Sequence, residues 1–499
     1  MLFKINNFID KHPYIFRIIT AVLAGFLTIL LAESVANIIY DLVPTWQFTN
    51  DQAMFYYMGK QLALGKTPYI DFYDHKGLYL FYYLALGYLM GGKIGVFFIQ
   101  VINLSIFFYV YLLICKVINF STRKTLIAVL LFVGLYGAFH QSPSDFEVQM
   151  VLVAFCLYFY IRGIKEDNEK MFLIGNVFTG LSAGLDINVR ASDAMVPLSL
   201  VIFYLIYEIR RKKVANIFIN AGACVFSLLL MCVPPFIHSY IGGFTEEMYD
   251  AIIFSNFKYV SSVGSSSSFS MQTILMRLVI VLFSAGMVLL VFFKRKEINK
   301  EEALFHYVSI GVVGFIQFVI AMFPHYFITC FPYLCLFFLR IIGLYKHGDK
   351  VEKGLGFVGV FLVIFSSIFY PVDYYAFERN NALAVKEFID ATISEEDKQN
   401  TTLCYTCSTG LYLNSNMVSC LPDFAAQTNH GAIKKEFSDE VLIPYFKKGD
   451  VQYIIVKENH ETGIYKWLKG YGQLYFEKVD DSSFKGGQYI DIYHYITYL

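Results

Sequence analysis

The sequence predicts a polytopic α-helical membrane protein of about eleven spans, ending in an external α/β domain. Three observations lead there. The chain has 499 residues, of which 57% are hydrophobic and only 16% charged, whereas soluble proteins carry roughly 25% charged residues. Its mean hydropathy is +0.52, and long apolar runs recur along most of its length. From about Val372 onward the composition turns polar, with mixed helix and strand patterns. The 40 basic and 40 acidic residues balance, so the total charge gives no footprint for nucleic acid.

The first apolar run, Ile15 to Tyr40, follows a basic start. It is longer than a signal-peptide core and no small-residue cleavage site follows it, so it reads as an uncleaved span. Further spans are expected near 95–117, 124–142, 147–163, 171–187, 193–209, 214–236, 272–293, 304–323, 326–344 and 354–371. The stretch from Gly77 to Met90 is apolar but too short to cross, and reads as a helix lying in the interface.

Basic residues cluster in alternate loops: Lys116, Arg123 and Lys124; Arg162, Lys165 and Lys170; Arg210 to Lys213; Lys294 to Lys296; Lys346, Lys350 and Lys353. Lys4, Lys11 and Arg17 agree with them. By the positive-inside rule the N-terminus is cytoplasmic, and an odd number of spans puts the tail and the first large loop outside. That loop runs from about Asp41 to Lys93. A third external segment, His238 to Met271, carries the polar run "SSVGSSSSFS", which reads as flexible.

The tail, 372–499, shows an amphipathic helix at "NALAVKEFIDATI" and strand-like runs at "TTLCY" and "VQYIIVKE". It is long enough for a domain of its own. Cys115, Cys156, Cys224, Cys232, Cys330 and Cys335 lie in or beside apolar runs, as small packing residues. Cys404, Cys407 and Cys420 lie in the tail. One CxxC without a second does not make a zinc site, while a disulfide is compatible with an external tail.

An enzyme acting outside has no ATP or nucleotide-sugar pool to draw on, so activated groups must come from lipid carriers. The polar cluster of the first loop sits where a lipid-linked donor meets a polar acceptor. Asp51, just past the first span, can take the proton of an acceptor hydroxyl. Its plainer reading is the cap of the helix "QAMFYYMGKQLAL". Lys76 is a point charge suited to phosphate, and His75 can donate beside it. The plainer reading of Lys76 is snorkelling to lipid headgroups. Asp71 and Asp74 order the loop or pair with Lys76. One of Asp145 and Glu147, in a short external turn, orients an acceptor or the base; the plainer reading is capping of the next span, with Ser144 or Asp145 as the cap. Arg190 binds phosphate or pairs with Asp186 or Asp193. His325 and Tyr326 lie at an external span end, where an aromatic belt accounts for Tyr326 and less well for His325. No metal is required, although Asp51, Asp145 and Glu147 are hard oxygen ligands compatible with a divalent ion.

The order of these motifs resembles a known family. An early external Asp, then "LALGKTPYIDFYDHKG", then the apolar "LYLFYYLALGYLMGG", resembles the first loop of the GT-C superfamily of membrane glycosyltransferases, in particular bacterial members related to protein mannosyltransferases and aminoarabinose transferases. "GLSAGLDINVRASDA" resembles the family's Gly-rich span and "HYFITCFPYLCLF" its late span. The resemblance covers the chain to about Tyr370. Leu78 follows Gly77 where the family often has Pro, and Gln52 follows Asp51 where an acidic pair is common. The second departure favours a metal-independent reaction.

The resemblance implies a GT-C-like fold over 1–371 and an inverting transfer in the plasma membrane of a bacterium. The sugar would pass from a polyprenyl-phosphate donor to an envelope glycan, lipid or protein. Asp51 would be the base, and Lys76, with His75 and Arg190, would face the donor phosphate. Asp71, Asp74, Asp145, Glu147, His325 and Tyr326 would shape the acceptor side. Two other classes compete. A flippase for a lipid-linked oligosaccharide requires a polar path through the spans, which carry few charges. A non-catalytic envelope-assembly protein would leave Asp51 and Lys76 dispensable.

Overall fold

The structure is a computed structural model of the whole chain. It describes residues 11–31, 50–139, 145–258, 271–320, 328, 330–344, 349–368, 372–405, 407, 409–424, 438–457 and 463–496. His325 and Tyr326 lie outside these, as do the side chains of Asp51 and Asp145.

Helices α1 (Pro13–Leu31), α2 (Asn50–Ala63), α3 (Leu78–Leu89), α4 (Lys93–Val117), α5 (Thr122–Phe139), α6 (Asp145–Glu166), α7 (Glu169–Arg190), α8 (Met195–Arg211) and α9 (Val214–Gly242) come first. A short helix α10 (Thr245–Tyr249) runs on into a π-helical turn, Asp250–Ser255. Then follow α11 (Met271–Phe293), α12 (Lys300–Ile320), α13 (Phe331–Leu344), α14 (Asp349–Ile368), α15 (Val372–Thr392) and α16 (Glu395–Asn400). The rest of the tail is β1 (Thr402–Tyr405), α17 (Gly410–Asn414), α18 (Asp439–Phe446), β2 (Tyr453–Lys457), α19 (Gly463–Lys469), β3 (Phe476–Lys478) and β4 (Ile490–Tyr495).

The chain divides into two compact units. One comprises Met1–Glu33, Phe97–His238 and Ser267–Phe369; the other comprises Ser34–Val96, Ser239–Ser266 and Tyr370–Leu499. In the first unit α7 packs along α6, α14 along α5, and α12 against α8 and α11. Four of the described helices are long and apolar enough to cross a membrane: Lys93–Val117, Glu147–Glu166, Glu169–Arg190 and Val214–Gly242. The apolar helices Pro13–Ile29, Ile280–Phe293 and Phe331–Gly343 are shorter. In α9 only 11% of the most apolar stretch is buried, and Phe218, Phe226, Leu229 and Ile241 are exposed. A helix apolar on its outer faces needs lipid rather than water around it.

The second unit joins the first-loop helices to the tail. Its sheet has the order β1-β2-β4-β3, with β1 and β2 parallel and the other pairs antiparallel. The central strand β2 buries Ile454, Ile455 and Val456 in succession, as expected of a strand covered on both faces. One cluster gathers Leu403, Tyr405, Ile454, Val456, Phe446 and Leu468. The tail is thus an α/β arrangement of mixed strand direction. Cys407 turns its sulfur to the carbonyl of Ile455, 3.4 Å away.

Candidate active site

The first loop begins at α2, with Asp51 as its second residue. Residues Ala53 to Lys60 are all buried within the second unit, which fixes the helix along its length. Tyr57 stacks against Tyr412 and Phe424 at 5.2 and 4.5 Å between ring centres, and its hydroxyl accepts the Ser419 N–H at 2.9 Å. The Lys60 ammonium donates to Asn416 at 3.0 Å. Burial and the nearby Lys93 lower its pKa.

The segment after α2 is built from local hydrogen bonds. The Asp71 carboxylate accepts the Thr67 N–H at 2.7 Å, and the Asp71 N–H returns to the Thr67 carbonyl at 2.9 Å. Tyr69 holds φ +64°, a left-handed conformation unusual for an aromatic residue. Its N–H donates to the Phe72 carbonyl at 2.7 Å, which turns the chain sharply. The Asp74 carboxylate is buried and accepts the Lys76 N–H at 2.8 Å, an Asx-type turn. The Tyr69 hydroxyl donates to the Lys76 carbonyl, also at 2.8 Å. Lys76 is therefore pinned at both backbone groups. Its ammonium lies 5.9 Å from the centre of the Phe55 ring, within cation–π range. The loop-ordering reading of Asp71 and Asp74 matches these bonds. Asp74 meets the Lys76 backbone in the bond seen here.

Distant segments then clamp this turn. Tyr73 donates its N–H to the Pro422 carbonyl at 2.9 Å and its hydroxyl to Ser255 Oγ at 2.9 Å. Asn256 donates to the His75 carbonyl at 2.9 Å. The His75 ring is mostly buried, with Nδ1 3.8 Å from the Asp74 carboxylate. Burial raises the Tyr73 pKa well above the phenol range; the Ser255 hydrogen bond opposes this, and the negative fields of Asp74, Asp250 and Asp423 add to it. Tyr73 is thus a neutral donor beside three carboxylates. Among the described residues no group of three or more His, Cys, Asp or Glu is placed to hold a metal ion.

The remaining candidates belong to the first unit. Glu147 is fully buried and its carboxylate accepts the Tyr136 hydroxyl at 2.6 Å, while Asn103 donates to its carbonyl. Its carboxylate thus faces an interior phenol. Arg190 is buried at the end of α7, with Nε 3.8 Å from Asp193, so of its two expected partners Asp193 is seen. Asp145 is the first residue of α6.

Sequence reasoning missed Tyr69, Tyr73, Asp250, Ser255, Asn256 and Asp423. Residues 245–257 carry a helical apolar pattern that the neighbouring serine run obscured. No local signal links positions 182 residues apart, such as Tyr73 and Ser255.

Comparison with known proteins adds three findings. Residues 75–238, about a third of the chain, match the family model of the dolichyl-phosphate-mannose-protein mannosyltransferases. No curated protein sequence matches. The fold matches that of ArnT from Cupriavidus metallidurans, solved bound to undecaprenyl phosphate, with a TM-score of 0.60 over 96% of this chain and 97% of that one, at 11% identity. An oligosaccharyltransferase from Archaeoglobus fulgidus, solved with zinc and sulfate, aligns over 94% of this chain and 72% of that one at 14% identity, but its TM-score of 0.39 carries no argument. The family match and the shared fold return the likeness read from the residues: the chain is similar to the GT-C superfamily of membrane glycosyltransferases.

Proposed function

We propose that this protein transfers a sugar from a polyprenyl-phosphate donor to an envelope glycan, lipid or protein on the external face of the membrane, with inversion at the anomeric carbon. The observation that carries this reading is Lys76. It is pinned by Asp74 and Tyr69 directly ahead of α3, whose N-cap residue Gly77 makes no side-chain cap. An uncapped helix start offers backbone N–H groups to an anion, and the lysine adds a full charge. Leu86, Leu89 and Met90 at the far end of α3 are exposed and suit a lipid chain. A phosphate at the head and a polyprenyl tail along the helix fit this layout. The undecaprenyl phosphate held by the similar ArnT structure is a ligand of this kind.

In this reaction Asp51, at the start of α2, takes the proton of the acceptor hydroxyl. The acceptor oxygen attacks the anomeric carbon from the side opposite the phosphate. The carbon–oxygen bond to phosphate breaks, and Lys76 offsets the charge that collects on the leaving group. Asp74, Asp250 and Asp423 surround Tyr73, which stays protonated among them. An N-terminus in the cytoplasm, about eleven spans and an external tail place the loop on the donor's side of the membrane. The reaction as proposed requires no metal, and a divalent ion is compatible with it.

The purified chain should transfer sugar from a short-chain polyprenyl-phosphate hexose or pentose and not from a nucleotide sugar. Cells lacking the gene should show a truncated surface glycan or glycolipid. Transfer from a nucleotide sugar alone would overturn the proposal.

A further inference from the structure

The first unit contains a cavity of about 130 Å³ that the reaction does not use. This is several times the roughly 30 Å³ that a water occupies in the liquid. Its polar lining is Asn119, Lys124, Lys165, Glu302, His306 and Arg340. It lies at the Val117 end of α4, whose other end is Lys93. These 25 residues put about 37 Å of helix between the two ends.

The charge in this cavity is lopsided. Glu302 is its one carboxylate, and three cations line it. Arg340 Nη1 lies 3.1 Å from Glu302 Oε1, and Lys165 Nζ lies 3.2 Å from Oε2. His306 Nε2 stands 4.0 Å from the same carboxylate. Just outside, Glu352 faces Arg123 at 3.4 Å and Lys124 at 4.0 Å, so that carboxylate is divided between two cations. Glu302 holds Arg340 and Lys165 in place without using all their donors. Arg340 Nε and His306 Nδ1 are both buried with no hydrogen-bond partner among the described residues. The His306 side chain is 3% exposed and that of Arg340 14%. A buried guanidinium donor left unmade is costly, and here the Arg340 Nε lines the cavity beside two lysines.

An oxyanion answers this arrangement. A phosphate monoester carries a charge near −1.5 to −2 at neutral pH and accepts from several donors at once. A neutral ligand would leave the excess of cations uncompensated. We propose that this cavity in the first unit, lined by Lys124, Lys165, His306 and Arg340, is a second phosphate-binding site, built from residues other than Lys76. The shared chemistry is a phosphate monoester or inorganic phosphate. The source is either a lipid headgroup or free phosphate. Pro13, Phe16, Leu112, Arg17 and Lys116 line an adjoining cavity that shares Asn119 and Phe120 with this one, and a lining that mixes apolar side chains with two further cations is compatible with a lipid headgroup and the start of its chain.

The test uses full-length protein in detergent carrying Lys76→Gln, so that the loop does not contribute. Binding of inorganic phosphate and of geranyl phosphate is measured by equilibrium dialysis. Both should saturate, and adding Lys165→Gln or Arg340→Gln should weaken binding on the order of tenfold, as expected for loss of a charged hydrogen bond. Geranyl phosphate binding about tenfold tighter than inorganic phosphate would assign the site to a lipid headgroup, whereas equal affinities would assign it to free phosphate. If Arg340→Gln does not fold, the half-exposed Lys165 carries the test alone. No saturable binding in the Lys76→Gln protein, or binding that Lys165→Gln leaves within about twofold, would overturn the proposal.

Discussion

In the first unit α7 meets α9 where side chains are missing. In the second, the turn around Lys76 is held by side chains and carbonyls from far along the chain. A Cβ on Gly180 would collide with the Cys224 carbonyl, and one on Gly184 would lie 2.6 Å from the Leu228 carbonyl. This four-residue spacing of small residues lets two helices pack closely in lipid. The loop depends instead on Tyr73 with Ser255, His75 with Asn256 and Tyr57 with Ser419, the last pair 362 positions apart. Close packing of this kind tolerates change except at the contact. A hydrogen-bonded turn sets the direction of one ammonium and is sensitive at each bond. The stable part and the chemical part of the molecule should therefore fail in different ways.

The largest effect separates chemistry from folding. Asp51→Asn should lower sugar transfer by roughly 10²–10⁴-fold, the usual cost of losing a general base. Donor binding and the melting temperature should stay close to those of the unchanged protein. A well-folded variant that transfers at the original rate would leave Asp51 as an acidic residue of the first helical turn, worth about 0.3–1 kcal/mol there.

Next is Lys76. Lys76→Gln should weaken donor binding about 10- to 100-fold, as expected when a charged hydrogen bond is lost. Competition with a short polyprenyl phosphate would measure this. Lys76→Arg should restore part of the loss, since it keeps the charge but changes its geometry.

The comparison sharpens at Gly180. Gly180→Val should cost about 1–3 kcal/mol of stability through overpacking, read as a lower melting temperature in one fixed detergent. The fraction that stays folded should bind donor normally, because the loop is untouched. A loss of donor binding at full stability would break the separation drawn here.

The smallest effect is at the clamp. Tyr73→Phe removes the hydroxyl that reaches Ser255, and should cost about 1 kcal/mol. Faster amide exchange in residues 70–77 would report it, with transfer rates falling less than for Lys76→Gln. Unchanged exchange would show that the Tyr73 N–H bond to Pro422 suffices to hold the turn.

Much of this was legible from the residues alone, and the reason is periodicity. Apolar runs long enough for a bilayer announce helices such as α4, α7 and α9, because lipid demands apolar side chains over a fixed length. "TTLCY" and "VQYIIVKE" announce β1 and β2, because alternating and β-branched residues suit a sheet. The crowding of Asp71, Asp74, His75 and Lys76 marked the candidate site, because charges beside apolar runs need a reason. Even Arg190 and its partner could be narrowed to two aspartates by spacing.

Tertiary structure decided what depends on distance in space. Sequence alone left the partner of Asp74 open, and the fold shows its carboxylate on the Lys76 backbone. It left Glu147 as a group that could orient an acceptor or the base, and the fold turns it inward to Tyr136. It passed over residues 245–257, although Ser255 and Asn256 hold the turn from there. It read the basic loops only as a sign of orientation, while the fold brings Lys124, Lys165 and Arg340 around one cavity. Local sequence sets what each segment prefers to be. Which buried donor meets which acceptor is settled only when segments hundreds of residues apart satisfy one another, because a polar group taken out of water must find its partner wherever the chain has folded to supply one.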